Sequence, residues 1–456
     1  MKKRIHKTPV YLILLFIAFS SCQPGNKNAH KDLLVKSWYY SDSLARRLSQ
    51  LDSNEVEFLD ASPLISHKPV VLPKPELVVT GNDYFDWPIA TQIDKTIILL
   101  YDRRHYHWSG DTNEPHTDKN SGIRMIIYSD DGGKTWSDPV DVLQQAGTWK
   151  YTIFGGWGGG LGVFRGIVYL VLNEGLYQSA DKGRTWTLVN SEPDFSKIPG
   201  LVKPITHVGG TGENAADKVK ATFWSPGLRL TFDTNHGLTI WSTRDFKPSG
   251  RDGKTNSYYG KYLCAIYSKD FGKTWQFEEQ ALPEGLYLSE ITPLQFEGKL
   301  LFFLRNGINH VYYGQGYSPT GWFPIQFAIT NIGPIDIIDT PGVIFNPFTG
   351  RLESTLTRRT YGNSDKPMEM QLYSISPGDL ASGSNKWQFE GVLLRYKGPF
   401  GKSDGMNPVG GIVDNESQLI KTYVWGGNVK GEGGIFEYSR SWDTPELSRY
   451  LKESRE

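Results

Sequence analysis

The sequence predicts an all-β fold, and three observations support this prediction. Glycine (49 of 456 residues) and tryptophan (14) are frequent, which is typical of chains with many tight turns and aromatic-faced strands. Short strand-like runs such as "IRMIIY" and "YLCAIY" precede turn residues. One eight-residue motif occurs in three similar copies. With 38% hydrophobic residues, the chain can bury one large core or two ordinary ones.

The charge balance argues against a polyanionic partner. Lys plus Arg and Asp plus Glu each number 49, so the formal net charge is zero. Because no basic field exists to attract nucleic acid, we expect none as a partner.

The first 22 residues read as a targeting signal. "MKKRIHK" is a basic segment, "VYLILLFIAF" is an apolar run too short to span a bilayer, and "FSSC" places small residues before Cys22. This arrangement resembles a bacterial lipoprotein signal, which implies lipidation at Cys22; an ordinary secretory signal is the alternative. Residues 23–58 read as a polar tether with a short helix, and residues 441–456 as a helical tail. Since no acidic residue directly follows Cys22, we expect a membrane-anchored protein on the periplasm-facing side of the outer membrane.

The second cysteine, Cys264, lies in the apolar stretch "YLCAIY" and has no intrachain partner once Cys22 is lipidated. The sequence therefore predicts a buried thiol. His105 and His107 have no third ligand at a recognisable spacing, so we expect no metal site. We also expect no cofactor and a monomeric chain.

The repeated phrase reads "SDDGGKTW" at Ser129–Trp136, "SADKGRTW" at Ser179–Trp186 and "SKDFGKTW" at Ser268–Trp275. Ser and Asp can bond nearby backbone N–H groups, Gly can adopt positive φ, and Trp can fill apolar space between sheets. These features are typical of a structural hairpin corner, and we expect the three tryptophans to be buried.

The pattern Ser-x-Asp-x-Gly-x-Thr-Trp resembles the Asp-box of sialidase-type β-propellers. The first two copies begin 50 residues apart (129 to 179) and the next two 89 apart (179 to 268), room for one blade plus an insertion. Weaker echoes occur at "YSPTGW" and "YSISPGDLASGSNKW". The resemblance implies a β-propeller of four-stranded antiparallel blades over residues 59–440, with six or seven blades, and we expect six.

Two stretches are similar to sialidase active-site motifs. "YFDWPIATQIDKTIILLYDRRHYHW" has the layout of that family's first blade and implies a substrate-binding role for Arg104. "PEGLYLSEITPLQFEGKLLFFLRN" has the layout of the fourth, which implies that Glu290 is an active-site carboxylate and that Arg305 binds substrate. "WSPGLRL", which begins at Trp224, resembles the entry to the third blade.

Three departures from the sialidase pattern predict that sialic acid is not the substrate. Asp86 stands where the first arginine of the sialidase triad is expected, and Met368 or Lys366 lies near the slot of the third. "GKSDGMNPVGGI" lacks the tyrosine nucleophile. A carboxylate at position 86 would repel the sialic acid carboxylate by on the order of several kcal/mol at ~4 Å and an effective dielectric near 20.

The remaining carboxylates suggest a glycoside hydrolase. Asp86 and Glu290, with Asp111 or Asp118, could flank a glycosidic bond as an acid–base pair. Carboxylates near Arg104 and Arg305 can also be structural ion pairs. The sequence predicts an exo-acting hydrolase of a non-sialic oligo- or polysaccharide.

Two other functions remain open at this point. A uronate lyase would use a His or Tyr to move protons, and His105, His107, His116, Tyr151 and Arg165 are candidates. A propeller that binds glycan without catalysis is the second alternative. Tryptophans outside the repeats could stack on sugar rings, namely Trp87, Trp108, Trp157 and Trp224.

Overall fold

The computed structural model describes the strand-forming parts of the chain. These are residues 57–59, 76–81, 84–104, 123–142, 160–172, 175–191, 224–233, 236–244, 247–248, 258–259, 262–283, 288–296, 299–306, 310–317, 325–332, 341–347, 349–358, 368–384, 386–397, 403–405, 411–414, 419–428 and 432–441. Only the backbone is described for some of them, among them Asp86, Arg104, Trp224, Glu290 and Arg305.

Two strands come first in the chain, and three four-stranded antiparallel sheets follow, which we call blades 1 to 3. The first strands are β1 (Glu57–Leu59) and β2 (Glu76–Gly81). Blade 1 contains β3 (Tyr84–Ile93), β4 (Thr96–Arg104), β5 (Ile123–Ser129) and β6 (Val140–Asp141). Blade 2 contains β7 (Gly160–Phe164), β8 (Ile167–Leu172), β9 (Gly175–Ser179) and β10 (Thr187–Ser191). Blade 3 contains β11 (Trp224–Asp233), β12 (Gly237–Arg244), β15 (Tyr262–Ser268) and β16 (Gln276–Ala281), and β13 (Lys247–Pro248) pairs separately with β14 (Tyr258–Tyr259).

Three further antiparallel sheets, blades 4 to 6, complete the described strands. Blade 4 contains β17 (Leu288–Phe296), β18 (Lys299–Asn306), β19 (His310–Tyr317) and β20 (Gln326–Ile329). Blade 5 contains β21 (Gly342–Asn346), β22 (Arg351–Arg358), β23 (Met368–Ile375) and β24 (Gln388–Lys397), with the helical turn α1 (Pro377–Ala381) before β24. Blade 6 contains β25 (Ser403–Gly405), β26 (Gly411–Asp414), β27 (Leu419–Asn428) and β28 (Glu432–Ser441).

The first strands of the blades form a closed ring. β3, β7, β11, β17, β21 and β26 contact one another in this order, and β26 contacts β3. The N-terminal strand β2 pairs with the C-terminal strand β28, and β1 adds to the outer edge of blade 5 by pairing with β24. Because strands from both ends of the chain share blade 6, ordinary ladder hydrogen bonds close the ring. The predicted all-β propeller with four-stranded antiparallel blades is confirmed.

The three repeated phrases fold into the same hairpin corner. In the first, the Gly133 N–H donates to Ser129 Oγ (2.6 Å), and Ser129 Oγ donates to Asp131 Oδ1 (2.8 Å). Thr135 donates to both Asp131 oxygens, at 2.8 Å from its N–H and 2.6 Å from its hydroxyl. The corners at 179–186 and 268–275 repeat these bonds at 2.6 to 2.8 Å. Side chains thus satisfy the backbone where the sheet ladder ends.

Each repeat tryptophan is buried against the preceding blade of the ring. Trp136 is 5% exposed and lies edge-on to Tyr423 of blade 6, with ring centroids 5.8 Å apart. Trp186 shares a core with Tyr128 of blade 1, and Trp275 shares one with Leu176 of blade 2. The burial predicted from the sequence is confirmed. These corners therefore join neighbouring blades.

Blade 5 reaches the same packing without an Asp-box. The weak echo "YSISPGDLASGSNKW" forms α1, whose N-cap Ser376 accepts a hydrogen bond from the Asp379 N–H. Trp387 beyond it is 2% exposed and contacts Phe303 of blade 4 edge-on, with centroids 5.3 Å apart. The tryptophan position is kept although the turn chemistry differs.

Two smaller expectations can be judged from the described residues. Cys264 is fully buried, as predicted, and forms no disulfide bond with another described residue. No helix among the described residues is long and apolar enough to cross a membrane. Residues 1–56, which include Cys22, and the predicted tail after Ser441 lie outside the described part, so the expectations for them remain predictions.

Candidate active site

Four of the residues singled out in the sequence lie at one end of the ring. We call the end at which each innermost strand begins the upper end. Asp86 is the third residue of β3, and Arg104 is the last residue of β4, in register with Tyr84. Glu290 is the third residue of β17 and pairs in register with Arg305 of β18.

The Asp-boxes occupy the opposite, lower end. Ser129 opens the first box and pairs with Ile97, seven residues before Arg104 along β4. At about 3.3 Å per strand residue, the box lies roughly 23 Å from the upper end. The repeats that identify the fold are therefore remote from the predicted site residues.

The two predicted catalytic carboxylates belong to opposite blades. Asp86 is on blade 1 and Glu290 is on blade 4, which are three positions apart in either direction around a ring of six. β11 of blade 3 contacts both β3 and β17. The topology thus brings the backbone of both residues to the same mouth of the ring, although more than 200 positions separate them in the chain.

All three inner strands that begin at predicted site residues have irregular register at their upper ends. The ladder shifts between Asp86 and Ile89 in β3, between Trp224 and Arg229 in β11, and between Leu288 and Glu290 in β17. Bulges of this kind bend a strand and redirect its side chains, and they are frequent next to active sites. These bulges were not predicted from the sequence. Pro88 and Pro226 are the signal for two of them, because proline cannot donate a hydrogen bond to a strand ladder.

The bulge in β3 changes the interpretation of Trp87. This residue has a φ of 45° and is 5% exposed, and its ring lies edge-on to Trp425 of blade 6 at a centroid distance of 6.5 Å. The expectation that Trp87 stacks on a sugar is therefore wrong. Its burial joins blades 1 and 6 and supports the strained backbone beside Asp86.

A buried ion pair supports the upper end of blade 1. Asp102 is fully buried and forms a salt bridge with Arg124, which is 4% exposed. Asp102 is the register partner of both Asp86 and Arg124, so the three residues form one row across β3, β4 and β5. Asp102 was not predicted from the sequence, because the resemblance to the first sialidase blade pointed to Arg104 alone. The ion pair therefore helps to fix the end of β4, where Arg104 follows two residues after Asp102.

Blade 5 has a polar cluster at its upper end. The Arg358 guanidinium lies 3.9 Å from the Glu369 carboxylate, and Gln371 donates to that carboxylate at 3.2 Å. The Tyr373 hydroxyl donates to Gln371 at 3.1 Å. Burial raises the pKa of Tyr373 to about 12, while Arg358 lowers it and Glu369 raises it. Tyr373 is therefore a neutral phenol at physiological pH.

This cluster clarifies the slot of the third sialidase arginine. Met368 begins β23, and Glu369 beside it is the register partner of Arg358. No arginine occupies the first two positions of β23. Lys366, the other candidate for the slot, lies outside the described residues.

Several predicted site residues cannot be placed. The residues outside the described ranges are Asp111, Asp118, His105, His107, His116, Trp108, Tyr151 and Trp157, and their roles remain predictions. Arg165 can be placed, in the turn between β7 and β8, at the lower end of blade 2, with its guanidinium 5.0 Å from the Phe164 ring centroid. Its suggested role in a lyase site beside the upper-end residues is therefore wrong. In the described part, no group of three or more His, Cys, Asp or Glu residues is placed to hold a metal ion.

An open cleft of about 640 Å³ also lies away from the predicted residues. It lies between the lower ends of β3 and β26 and is lined by Gln92, Asp94, Lys95 and Asp414, among others. Because these residues flank the turns that follow the innermost strands, the cleft is at the Asp-box end. We therefore do not assign it to the candidate site.

Comparison with known proteins supports the repeats directly. The BNR/Asp-box repeat family matches residues 127–138 and 266–277, which are the first and third copies. The copy at 179–186 has the same hydrogen bonds. No curated protein matches the sequence.

Similar solved structures include the NanB sialidase of Streptococcus pneumoniae, at 10% identity over 87% of this chain and 72% of that chain, with a TM-score of 0.47. A Trypanosoma rangeli sialidase is 14% identical over 88% of this chain and 60% of that chain, with a TM-score of 0.45. An exo-β-1,3-galactanase of Phanerochaete chrysosporium is 10% identical over 63% of this chain and 60% of that chain, with a TM-score of 0.37. At these values the similarities carry no inference about activity. From its matched repeats and its ring of sheets, the chain is a β-propeller that carries BNR/Asp-box repeats.

Proposed function

We propose that the protein is a carbohydrate-active enzyme, an exo-acting glycoside hydrolase of a non-sialic glycan. The observation that carries this proposal is that the two predicted catalytic residues lie directly beside irregularities in the strand register. Asp86 and Glu290 each border a bulge at the upper end of an innermost strand, on opposite blades of one ring. A mouth flanked by two carboxylates is the arrangement that acid–base glycoside hydrolysis needs.

The proposed chemistry assigns the two carboxyl groups different tasks. One protonates the glycosidic oxygen as the leaving group departs, and the other activates water or attacks the anomeric carbon. Separations of about 6.5–9.5 Å leave room for a water and give inversion, and about 5–5.5 Å gives retention. Asp111 is a third candidate carboxylate, and Arg104 and Arg305 would hold substrate oxygens through their guanidinium donors.

The same mouth is unsuited to sialic acid. By the resemblance, Asp86 stands where one carboxylate-binding arginine is expected, and Met368 or Lys366 stands near the position of another. A carboxylate accepts hydrogen bonds from sugar hydroxyl groups but repels another carboxylate. A neutral terminal sugar is therefore the proposed unit at Asp86.

We also propose that the enzyme is anchored to the cell envelope by a lipid on Cys22. The support is the basic, apolar and small-residue order of the first 22 residues. The proposed location is the periplasm-facing side of the outer membrane.

The test is incubation with a panel of plant, algal and host glycans, followed by product mass and ultraviolet absorbance. Release of a saturated monosaccharide, lost in Asp86→Asn and Glu290→Gln and kept in Glu76→Gln, would support the proposal. Glu76 is a suitable control because it is an exposed carboxylate on the outermost strand of blade 6. An unsaturated, ultraviolet-absorbing product would show a lyase instead. Binding without any product would show a non-catalytic propeller.

A further inference from the structure

The fourth residue of each Asp-box lies beside the innermost strand of the preceding blade, and its identity differs between the boxes. It is Gly132 in the first box, Lys182 in the second and Phe271 in the third. All three have a positive φ, between 55° and 73°. The hydrogen bonds of the box use its first, third, fifth and seventh residues, so the fourth side chain can vary without loss of the corner.

In the second and third boxes, this fourth side chain crosses to the preceding blade. Lys182 Nζ donates to Asp94 Oδ2 at 2.8 Å, and Asp94 is in the turn that follows β3 of blade 1. The Phe271 ring stacks on Phe164, the last residue of β7 in blade 2, with ring centroids 5.3 Å apart. These two side chains therefore fill space between neighbouring blades at the lower end.

The first box has no side chain for the equivalent contact. Gly132 lies between the two blades, because its N–H donates to the Lys95 carbonyl of blade 1 at 3.2 Å and a Cβ would lie 3.7 Å from Asp414 Oδ2 of blade 6. Asp414 ends β26 as Phe164 ends β7. Lys95 and Asp414 both line the open cleft of about 640 Å³. The cleft thus lies where the other two boxes place a side chain.

The lining of the cleft combines a buried carboxylate with neutral polar groups. Asp414 is only 7% exposed, so water screens its charge less than that of a surface carboxylate. Thr91 and Gln92 of β3 also line the cleft, and hydroxyl and amide groups can bond ligand hydroxyls. Lys95 is positive but exposed, so its charge is screened more strongly. At the next junction, the group that meets the carboxylate is the Lys182 ammonium.

We propose that this cleft binds a small ligand that carries a protonated primary amine beside hydroxyl groups, which is the chemistry of an amino sugar. The ammonium lies beside Asp414 as the Lys182 ammonium lies beside Asp94, and Thr91 and Gln92 bind the hydroxyls. A volume of about 640 Å³ is within the range of about 300–1,000 Å³ for small-molecule sites. Because the cleft is at the lower end, the proposal does not depend on the proposed hydrolase.

The experiment compares three sugars that differ at one carbon. Wild-type protein is titrated by calorimetry with glucosamine, N-acetylglucosamine and glucose, slightly below neutral pH so that the amine of glucosamine is protonated. We expect glucosamine to bind at least about fivefold more tightly than the other two, because only glucosamine makes a charge-assisted contact. Asp414→Asn should weaken the binding of glucosamine about fivefold to tenfold for the same reason.

A pair of lysine variants tests the position of the site without removing Asp414. Gly132→Lys gives the first box the residue that the second box holds at a φ of 58°, so it should fold, and its ammonium should compete for Asp414 and weaken glucosamine binding about tenfold. Gly166→Lys adds the same charge at a φ of 78° in the turn of blade 2, where a Cβ meets nothing within 4 Å, and should bind as the wild type does.

Thermal unfolding of each variant shows that it has folded. No binding of glucosamine, or equal binding of glucose, would overturn the proposal, because the charge of the amine would then have no role. Equal binding by the two lysine variants would also overturn it, because the ligand would then lie elsewhere.

Discussion

The first Asp-box packs against blade 6, and replacing its second glycine, Gly133, tests how tightly the two are packed. Gly133 has a φ of 95°, and a Cβ there would lie 2.8 Å from Glu437 Oε2 and 2.9 Å from Lys421 Nζ. Gly166, in the turn between β7 and β8, has a similar φ of 78°, but a Cβ there would meet nothing within 4 Å. Gly166→Ala is therefore a control that has the backbone strain without the collision.

The atoms that a methyl group at position 133 would displace are held in place. Lys421 and Glu437 are less than 10% exposed and form a salt bridge of 2.7 Å. Glu437 also accepts from the Tyr423 hydroxyl at 2.9 Å and from Ser439 at 2.8 Å. Burial and then Glu437 raise the pKa of Tyr423 well above its ordinary value, so the phenol remains a donor. None of these groups can move aside without losing buried partners.

The expected cost follows from two terms. Positive φ at alanine costs about 1–2 kcal/mol in both variants. Forcing a methyl group into packed space adds about 1–3 kcal/mol at Gly133, rising to about 3–5 kcal/mol where the Lys421–Glu437 pair is broken. Gly133→Ala should thus be less stable than Gly166→Ala by at least about 1 kcal/mol.

The assay is urea unfolding followed by tryptophan fluorescence, with thermal midpoints at one scan rate in case the transition is not two-state. Equal destabilisation by the two substitutions would refute the reasoning, because it would show that Glu437 and Lys421 do not pack against the box. A matching loss of activity in folded Gly133→Ala would also contradict it, since the box lies at the lower end.

Four other predictions concern separate features. Trp→Ala at Trp136, Trp186 or Trp275 should cost about 3–5 kcal/mol in unfolding experiments, with the activity of the folded fraction unchanged. Burial alone would raise the pKa of Asp181, but hydrogen bonds from Thr185, Ser179 and the backbone lower it from 3.8 to about 2. Because the folded pKa is depressed, the stability that ionised Asp181 contributes is present above about pH 4 and is lost as the pH falls towards 2. In thermal melts, an Asp181→Asn variant should therefore lose less stability over that pH range than the wild type. The wild type should release no sialic acid from standard sialosides, and efficient release would overturn the role given to Asp86. Cys22→Ala should move the protein from the detergent phase to the aqueous phase, and an unchanged partition would contradict the lipid anchor.

Local chemistry made much of the fold predictable from the sequence. The hydrogen bonds of the Asp-box are local. Ser129 and Asp131 each accept a hydrogen bond from a backbone N–H four residues later, in Gly133 and Thr135, so no long-range contact had to be predicted. The burial of its tryptophan follows because a large apolar ring beside a turn needs a neighbouring blade. The prediction that Trp87 stacks on a sugar was wrong for the opposite reason. The burial of Trp87 depends on Trp425, more than 300 residues away, and on a positive φ that no local sequence pattern predicts.

The candidate site was predictable in position but only partly in composition. The resemblance placed Asp86, Arg104, Glu290 and Arg305 at strand ends, and the register puts them at one end of the ring. Asp102 and Glu369 escaped notice because their partners, Arg124 and Arg358, belong to neighbouring strands whose register the sequence does not state. Arg165 was grouped with the wrong end, since a single arginine after a strand says nothing about which end that strand reaches.

The separation of the two ends explains why the repeats reveal the fold and not the activity. The boxes and Trp387 attach blades 1, 2, 3 and 5 each to the blade before it through buried tryptophans at the lower end. Once that end is fixed, the upper strand ends can change residues without loss of the ring, because their side chains do not contribute to these cores. Asp86, which stands where the sialidase pattern has an arginine, is a residue at such a strand end, so the activity has to be inferred from the upper end and not from the repeats.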